Sequence, residues 1–332
     1  IRLSLVGSEM CIRDSFLNHA ENFQYRHMNK DTLIAVLMGG PGSEREVSLA
    51  SGCAVLEALV EQGLNAVAVD VTDQSINLPE GTGLCFNTIH GTFGEDGELQ
   101  AILEKMQMPY TGAGLESSRV AFDKVASKEV FIEHHVPTPE SEIVDCSAGA
   151  KLPEMLPPYV VKPPCEGSSV GVHIVYDQAE AVAAMEDASK YGKEVLVEQY
   201  IDGLELTVGV LDSVALPIVH IAPRSGFYDM NNKYPWLNDD GGTDYYCPAE
   251  LDEATTCAVQ QAALEAHKAL GIEIYSRVDV LLDKEGIPYV LEANTIPGMT
   301  ASSLLPKAAQ VAGYEFGPLC EKIADISLAY RT

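Results

Sequence analysis

The chain has 332 residues, of which 46% are hydrophobic, a length and composition typical of a folded protein with two or three domains. It carries 49 acidic and 21 basic residues, giving a formal net charge of −28. A negative field of this size repels nucleic acid and anionic membrane surfaces, so neither is an expected partner. An anionic substrate would need a locally basic pocket, which gives weight to each lysine that lies in a motif.

Eight cysteines are scattered along the chain, without a C-x-x-C pair or a Cys/His cluster of zinc-binding spacing. Scattered cysteines in a chain of this length indicate reduced thiols in a cytoplasmic enzyme. The sequence contains no uninterrupted apolar run long enough to span a bilayer.

Residues 1–27 have no amphipathic period and lack the apolar core and cleavage site of a signal peptide. Part of this segment resembles a translated sequencing adapter. Met28, in contrast, is followed almost at once by a strand-like run. We therefore expect residues 1–27 to be non-native or disordered, and irrelevant to activity.

The first predicted elements are a buried strand at 33–38, a glycine-rich turn and a helix that ends at Gly63. This order opens a dinucleotide-binding fold, but Arg45 breaks the G-x-G-x-x-G pattern, which disfavours NAD. The chain also lacks the P-loop motif. Glu44 precedes the helix, where a carboxylate either stabilises the helix end or anchors a substrate ammonium group.

A second strand is predicted at 65–71, and a third ends at the glycine-rich, acidic loop 87–97. His90 in this loop is either a structural histidine or part of a ligand site at the end of a strand. Residues 116–134 have helical spacing and contain Lys124, which taken alone reads as a surface lysine. The prolines that follow predict an extended, linker-like stretch to Pro158.

A predicted strand then delivers Lys162 to the start of a Gly/Ser-rich loop, and a further strand at 172–175 follows. Such a loop is rich in backbone N–H and hydroxyl donors, so it can close over phosphates. Gly/Ser loops are common connectors, so the loop alone has modest specificity. The lysine that precedes it raises the specificity considerably.

Strand-like segments at 194–201 and 205–210 come next, and then a long polar segment at 224–248. A segment of that length and polarity is typical of a functional lid. A helix is predicted at 254–270, and two amphipathic helices are predicted at the end of the chain.

Residues 276–294 are predicted to form a hairpin with its turn at 283–286. Strand alternation puts Arg277, Asp279 and Leu281 on one face of the first strand. On the second strand it puts Glu292 and Asn294 on one face, and Tyr289, Leu291 and Ala293 on the other.

Folded together, the hairpin strands can present Asp279, Glu292 and Asn294 side by side, with Arg277 next to them. Carboxylate and amide oxygens are the ligands that magnesium prefers, and a guanidinium beside them suits phosphate. The alternative is a pair of ordinary strands with a solvated polar face, and the hairpin alone does not decide between the two.

Six segments of the chain together resemble the ATP-grasp superfamily and, within it, the D-alanine–D-alanine ligases. They occur in the family's order and spacing from Leu33 onward, so the ordered set is highly specific although no single segment is decisive. The segments are G-G-P-G-S-E-R-E-V-S-L (39–49), H-G-T-F-G-E-D-G (90–97), V-K-P-P-C-E-G-S-S-V-G (161–171), F-Y-D-M-N-N-K-Y (227–234), R-V-D-V (277–280) and L-E-A-N-T-I-P-G-M-T (291–300).

The resemblance implies an α/β chain, α+β in its central and C-terminal parts, with a three-domain ATP-grasp fold and a Rossmann-like N-terminal domain. The implied boundaries are 28–118 for the substrate-binding α/β domain, 119–207 for the central subdomain and 208–332 for the C-terminal subdomain, with the lid at 224–248. ATP is expected between the last two, with the amino acids facing the first.

For the nucleotide, the resemblance implies phosphate contacts from two lysines and a loop that folds over the phosphates. It assigns the adenine amino group to Glu198 and the ribose hydroxyls to Glu205. The implied ATP-binding residues are Lys124, Lys162, Glu166, Ser169, Glu198, Tyr200, Ile201 and Glu205. Two magnesium ions, with manganese as a substitute, are implied at Asp279, Glu292 and Asn294.

For the amino acids, the resemblance implies that Glu44 pairs with the ammonium group of the first D-alanine and that His90 lies near its carboxyl group. Arg277 and the Gly298 N–H are implied to stabilise oxyanion charge. The carboxylate of the second D-alanine is assigned to Lys233, Ser303 and the Leu304 N–H. Ser168 and Tyr234 are implied to tie the lid to Glu44.

The implied reaction joins two D-alanines through an acyl phosphate, for peptidoglycan precursor synthesis, in a cytoplasmic enzyme that forms a homodimer. In the family a tyrosine at the position of Tyr234 accompanies an amine nucleophile, which favours the dipeptide. Two features depart from the family pattern: Pro164-Cys165 stands where Ser/Ala-Arg is usual, and the lid carries extra residues at 238–242. The alternatives are an ATP-grasp ligase that uses D-lactate or D-serine, and a non-catalytic nucleotide-binding protein.

Overall fold

The protein is described here by a computed structural model that covers residues 28–224 and 242–332. The predictions for residues 1–27, Lys233 and Tyr234 lie outside these described residues. Across the two described ranges, no helix combines the length and the apolar character needed to cross a membrane.

The N-terminal layer is a three-stranded parallel sheet in the order β2–β1–β3. Its strands are β1 (Leu33–Gly39), β2 (Ala66–Val71) and β3 (Thr82–Asn87). Because β1 is aliphatic throughout, both of its faces are covered: one packs against α1 (Arg45–Glu61), the other against α2 (Glu98–Lys105). The predicted strand–turn–helix opening is confirmed.

The segment predicted as one helix over 116–134 forms two, α3 (Leu115–Phe122) and α4 (Lys124–Glu133). Asp123 separates them in extended backbone, and its carboxylate accepts hydrogen bonds from the N–H groups of Val125 and Ala126. An aspartate at a helix start satisfies amide groups that lack helical partners, which favours a new helix over a continuous one.

The central sheet is antiparallel, in the order β4–β7–β5–β6. The stretch predicted as extended and linker-like contains β4, which pairs with residues 194–198 of β7 and buries Val144. The extended backbone is as predicted, but this part is a strand of the sheet and not a linker. Helix α5 (Gln178–Ala188) covers one face. The strands are β4 (Ser141–Asp145), β5 (Tyr159–Lys162), β6 (His173–Val175) and β7 (Glu194–Gln199).

The C-terminal sheet has six strands, with β8 at its centre and β9 attached to β8. Helix α6 (Glu253–Ala269) covers one face, and α7 (Leu304–Val311) lies against the other. The strands are β8 (Gly203–Leu211), β9 (Val214–Ala215), β10 (Val219–Pro223), β11 (Thr243–Tyr246), β12 (Tyr275–Asp283) and β13 (Pro288–Asn294). Strand β11 lies inside the range predicted as the lid.

The predicted hairpin is confirmed as β12 and β13, but a β-bulge changes the face assignment. Asp279 lies opposite Glu292, whereas Val280 lies opposite Val290, so β13 has one extra residue between these pairs. Tyr289 therefore pairs with Leu281 and lies on the same face as Glu292, whereas strict alternation predicts the other face. Val290 and Ala293 are the two core residues of β13.

The last helix, α8 (Phe316–Arg331), returns to the N-terminal layer. Its apolar residues share one buried cluster with Ile34 and Val36 of β1. This return places the segment after β13 against α1 and the loop after β3, which creates the cleft described next.

Candidate active site

A cavity of about 590 Å³ lies where the N-terminal layer meets the C-terminal sheet and the central loop. It gathers residues that are far apart in the sequence but were all predicted as site residues. These are Glu44, His90, Lys124, Glu166, Ser168, Arg277, Glu292, Asn294, Gly298, Ser303 and Leu304. The structure thus brings the described catalytic and acceptor-side predictions together with Lys124 and Glu166 from the phosphate side. The predicted residues Lys162, Ser169 and Asp279 do not line this cavity.

The polar edge of the β12–β13 hairpin is held by a dense set of hydrogen bonds around Asp279. The Arg277 guanidinium donates to both carboxylate oxygens, at 3.0 and 2.9 Å. Thr207 Oγ1 donates at 2.6 Å, and Asn294 Nδ2 donates at 3.1 Å. The guanidinium is therefore directed at Asp279, and the role predicted for Arg277 at an oxyanion needs it to turn.

Glu292 on the neighbouring strand pairs with Lys124, with 3.1 Å between Oε2 and Nζ. The same ammonium donates to the carbonyl of Glu166 in the phosphate-side loop at 2.8 Å. Burial alone would lower the pKa of Lys124, but the nearby Glu292 carboxylate outweighs burial and raises the pKa above its usual value. Lys124 stays charged and links α4 to both the hairpin and the loop.

The donor set on this edge fits a hard cation, since it consists of two carboxylates and one carboxamide on adjacent strands. Within the described ranges, no three His, Cys, Asp or Glu side chains converge as a metal-binding group. The predicted set thus depends on Asn294 for its third oxygen donor, and the magnesium site stays a prediction. The two basic partners, Arg277 and Lys124, neutralise the carboxylates.

The Gly/Ser loop after β5 reaches across the cleft to the N-terminal layer. Ser168 Oγ donates a hydrogen bond to the Glu44 carboxylate. Ser168 and Ser169 both have positive φ, 51° and 59°, in the region that L-residues rarely occupy. The predicted Ser168–Glu44 link is thus present among the described residues, while the proposed partner Tyr234 lies outside them.

His90 is buried, and each of its ring nitrogens has a protein partner. Nδ1 lies 2.8 Å from the Ile296 carbonyl oxygen, and Nε2 lies 2.9 Å from Ser51 Oγ. Glu95 Oε1 is 3.8 Å from Nδ1, and burial raises the pKa of Glu95. Ser51 was not predicted as a site residue, because a serine inside an apolar helix gives no signal in the sequence.

The acceptor side of the cavity is formed by the N-terminus of α7. Ser303 precedes this helix with extended backbone, and its Oγ accepts from the Thr300 N–H at 3.1 Å. Free N–H groups at a helix start favour an anionic group. Gly298 approaches closely, since a Cβ there would lie 2.9 Å from Ser303 Oγ.

The residues predicted for the adenine half form a separate, buried group. Glu198 on β7 contacts Lys128 Nζ at 2.6 Å and is also paired with Lys162. Burial would raise the pKa of Glu198, but the two lysines outweigh burial and lower the pKa. Lys128 was missed, although it lies four residues after Lys124, a spacing that places two side chains on one helix face.

Three further predicted ATP-binding residues lie at the junction of β7 and β8. Tyr200 packs edge-on against Tyr176, with 5.7 Å between ring centroids, and Ile201 is buried. Glu205 is on β8, opposite Leu281. None of these, nor Lys162 or Glu198, lines the 590 Å³ cavity, so among the described residues the nucleotide-base half is distinct from it.

These layers and this cleft define the ATP-grasp class of folds, in which two α+β units face each other across a nucleotide site. A family model described as the C-terminal part of D-ala D-ala ligases matches residues 129–325. Among curated proteins, a D-alanine–D-alanine ligase from Methylacidiphilum infernorum is 48% identical over 89% of this chain and 95% of its own length. One from Citrifermentans bemidjiense is 46% identical, with coverages of 89% and 95%.

Solved structures agree. A D-alanine–D-alanine ligase from Bacillus anthracis, complexed with ATP, superposes with a TM-score of 0.78 at 35% identity, covering 92% of this chain and 99% of its own. The VanG D-Ala:D-Ser ligase from Enterococcus faecalis gives a TM-score of 0.77 at 26% identity, with coverages of 90% and 99%. The chain belongs to the D-alanine–D-alanine ligase family.

Proposed function

We propose that the protein joins two D-alanine molecules into D-alanyl-D-alanine and converts ATP into ADP and phosphate. The observation that carries this proposal is one cavity that combines a carboxylate–lysine edge, a loop bonded to Glu44 and a helix N-terminus. The relatives that bear this name over most of the chain support it. The role implied by the family is peptidoglycan precursor synthesis.

The residues divide the work on the first D-alanine. Glu44 holds the ammonium group of this D-alanine, so that the carboxylate of the D-alanine points toward Lys124 and the hairpin edge. This carboxylate takes the γ-phosphoryl group of ATP and becomes an acyl phosphate, because a free carboxylate is a poor electrophile. The Lys124 ammonium, charged through its pairing with Glu292, balances negative charge on the transferred group.

Magnesium would be held by Asp279, Glu292 and Asn294, and when bound it neutralises phosphate charge. The ions, two in the prediction, are proposed from the donor chemistry of these side chains. A bound cation would balance the carboxylate charge, and Arg277 and Lys124 would then be available to substrate oxygens.

The second D-alanine binds with its carboxylate at the N-terminus of α7, near Ser303 and the Leu304 N–H. Its amine attacks the acyl carbon, and Arg277 with the Gly298 N–H stabilises the oxyanion before phosphate leaves. The loop that carries Ser168 shields the acyl phosphate from water, which would otherwise hydrolyse it.

Phosphate release from MgATP tests the proposal, with products identified by mass spectrometry. The reactions contain D-alanine, L-alanine, D-alanine with D-lactate, or D-alanine with D-serine. We expect D-alanine alone to give phosphate and the dipeptide. Turnover only with D-serine or D-lactate would instead indicate a ligase that uses that second substrate, as the name of the VanG D-Ala:D-Ser ligase does for D-serine. ATP binding without turnover would contradict a ligase.

The family also implies a homodimer and, since the reaction consumes ATP, a cytoplasmic location. Light scattering of the purified protein tests the first proposal, and fractionation of the source cells tests the second.

A further inference from the structure

The segment 296–299 carries the Gly298 N–H assigned above to the oxyanion, and both of its ends are tied to the N-terminal layer. The Ile296 carbonyl lies 2.8 Å from His90 Nδ1. The Met299 N–H donates to Ser51 Oγ at 3.3 Å. Ser51 Oγ also lies 2.9 Å from His90 Nε2, so Ser51 joins the two tethers.

These linked contacts of Ser51, His90, Ile296 and Met299 form a hydrogen-bond ring. Its donors and acceptors determine which nitrogen of a neutral His90 carries the proton. A carbonyl oxygen can only accept, so Nδ1 carries the proton and donates to Ile296. Nε2 then accepts, and its donor is the Ser51 hydroxyl. The Ser51 oxygen keeps a lone pair for the Met299 N–H. For the neutral imidazole, all three bonds are satisfied at once only in the Nδ1–H tautomer, which the Ile296 carbonyl selects.

Burial makes this hydrogen-bond ring rigid. Ser51 and Met299 are fully buried and His90 is 6% exposed, so water does not compete for these bonds. The His90 backbone N–H is held as well, since it donates to Ser48 Oγ at 2.9 Å. Of the residues joined by these hydrogen bonds, Ser51, His90 and Ile296 also line the cavity.

We propose that Ser51 is a positioning residue, which links His90 Nε2 to the Met299 N–H and so holds the 296–299 segment with the Gly298 N–H facing the reacting carbonyl. This role rests on the function proposed above. The Ser51 hydroxyl acts through these two partners, because both of its hydrogen bonds are to them. An oxyanion donor works only when it is preorganised within a fraction of an ångström, so a loosened segment lowers the rate without removing the donor.

The test variant is Ser51→Ala, which removes one hydroxyl and adds no bulk. We expect kcat for dipeptide formation to fall about tenfold, less than the 10²–10³ lost with an oxyanion donor itself. The KM for ATP should stay within about twofold, because the nucleotide contacts are elsewhere. NMR should show His90 as the Nδ1–H tautomer in both proteins, because the Ile296 carbonyl is retained. Hydrogen exchange of the Met299 amide, followed by NMR, should be faster in the variant, since this N–H loses its acceptor.

Ser327→Ala is the matched control, since Ser327 is also fully buried and its hydroxyl donates only to the Ile323 carbonyl within α8. A thermal shift like that of Ser51→Ala, with unchanged kcat and unchanged Met299 amide exchange, is expected. A Ser51→Ala enzyme with wild-type kcat, or with reduced kcat but wild-type exchange of the Met299 amide, would overturn the positioning role. The NMR readout needs no turnover, so failure of the proposed ligase activity is seen separately.

Discussion

Three acidic side chains at the hairpin edge and in the adenine half have basic partners supplied by the chain itself. Asp279 pairs with Arg277, Glu292 with Lys124, and Glu198 with two lysines. A carboxylate removed from water is costly unless it is paired, so these pairs stabilise the cleft. They also concentrate positive charge where a chain of net charge −28 must bind a polyanion.

The first prediction concerns Glu292. Replacing it with glutamine keeps the shape of the side chain but removes the charge that would hold a metal and that now pairs with Lys124. We expect phosphate release to fall at least about 100-fold, since metal-held charge contributes several kcal/mol to phosphoryl transfer. Unfolding should stay a single cooperative transition, as measured by thermal denaturation.

Glu285→Gln serves as the control, because Glu285 lies in the exposed turn of the same hairpin. Its turnover should match that of the wild type. Near-normal phosphate release by Glu292→Gln would contradict the assignment of Glu292 as a metal ligand.

Sequence reasoning reached the residues that stand in ordered motifs, and it missed those that act through distant partners. Lys124 and Glu292 were both predicted, although their pairing was not. Ser51 contacts Met299 across 248 positions in the chain, and no local pattern encodes such a contact. Lys128 had a signal in its spacing, but a lysine in a helix is usually solvated, so the buried pair with Glu198 was not expected.

At the scale of elements, the break between α3 and α4 matters because it makes Lys124 the first residue of a helix. Asp123 creates that break by accepting from the Val125 N–H at 2.9 Å. The helical spacing of the whole segment concealed the break, and so did the absence of glycine or proline. The hairpin turn, in contrast, was predictable from its polar, glycine-containing cluster, while its bulge leaves no mark in the sequence.

The second prediction is that Asp123→Ala weakens nucleotide binding through the start of α4. Loss of an N-cap costs about 1 kcal/mol of stability. Because fraying of this helix displaces Lys124, the KM for ATP should rise roughly three- to tenfold, which a steady-state titration measures. Asp123→Asn keeps an accepting oxygen and should retain most of the affinity.

Asp252→Ala is the control for this cap, since Asp252 caps α6 by accepting from the Thr255 N–H at 3.0 Å and does not line the cavity. A similar loss of stability with an unchanged KM is expected there. Equal kinetic effects of both variants would show that the Asp123 result reflects stability alone.

At the scale of the whole molecule, the buried clusters do not follow the predicted domain boundaries. One cluster joins β1 and α1 to α7 and α8, which lie at opposite ends of the chain. The buried cluster contains residues from both sides of position 118, so the boundary predicted there stays a prediction. The ATP-grasp class was predictable from the ordered motifs, but the shared cluster depends on tertiary packing that the motifs do not specify.

The third prediction concerns acid stability. His267 is buried at the end of α6, bonded through Nδ1 to Ser276 Oγ at 2.8 Å, and burial lowers its pKa to about 4. Above its ordinary pKa of 6.5 it is neutral in both states, so its contribution to stability is complete. As pH falls from 6.5 to about 4, the unfolded chain takes up the proton first, and roughly 3 kcal/mol is lost.

Urea unfolding at several pH values between 4 and 7 measures this loss. His267→Gln should have a shallower dependence of unfolding free energy on pH, by about one proton in that window. His134→Gln, at an exposed histidine, should keep the wild-type slope. Identical slopes for the wild type and His267→Gln would contradict the burial argument.

The shared cluster of β1, α1 and α8 also has a consequence for how the protein is made. A ribosome adding about 5–20 residues per second releases α8 tens of seconds after α1 has emerged. During that interval the aliphatic face of β1 that carries Ile34 and Val36 lacks its final cover. The nascent N-terminal layer is thus a natural client for a chaperone, and translation stalled before Phe316 would leave an aggregation-prone product rather than a stable half-enzyme.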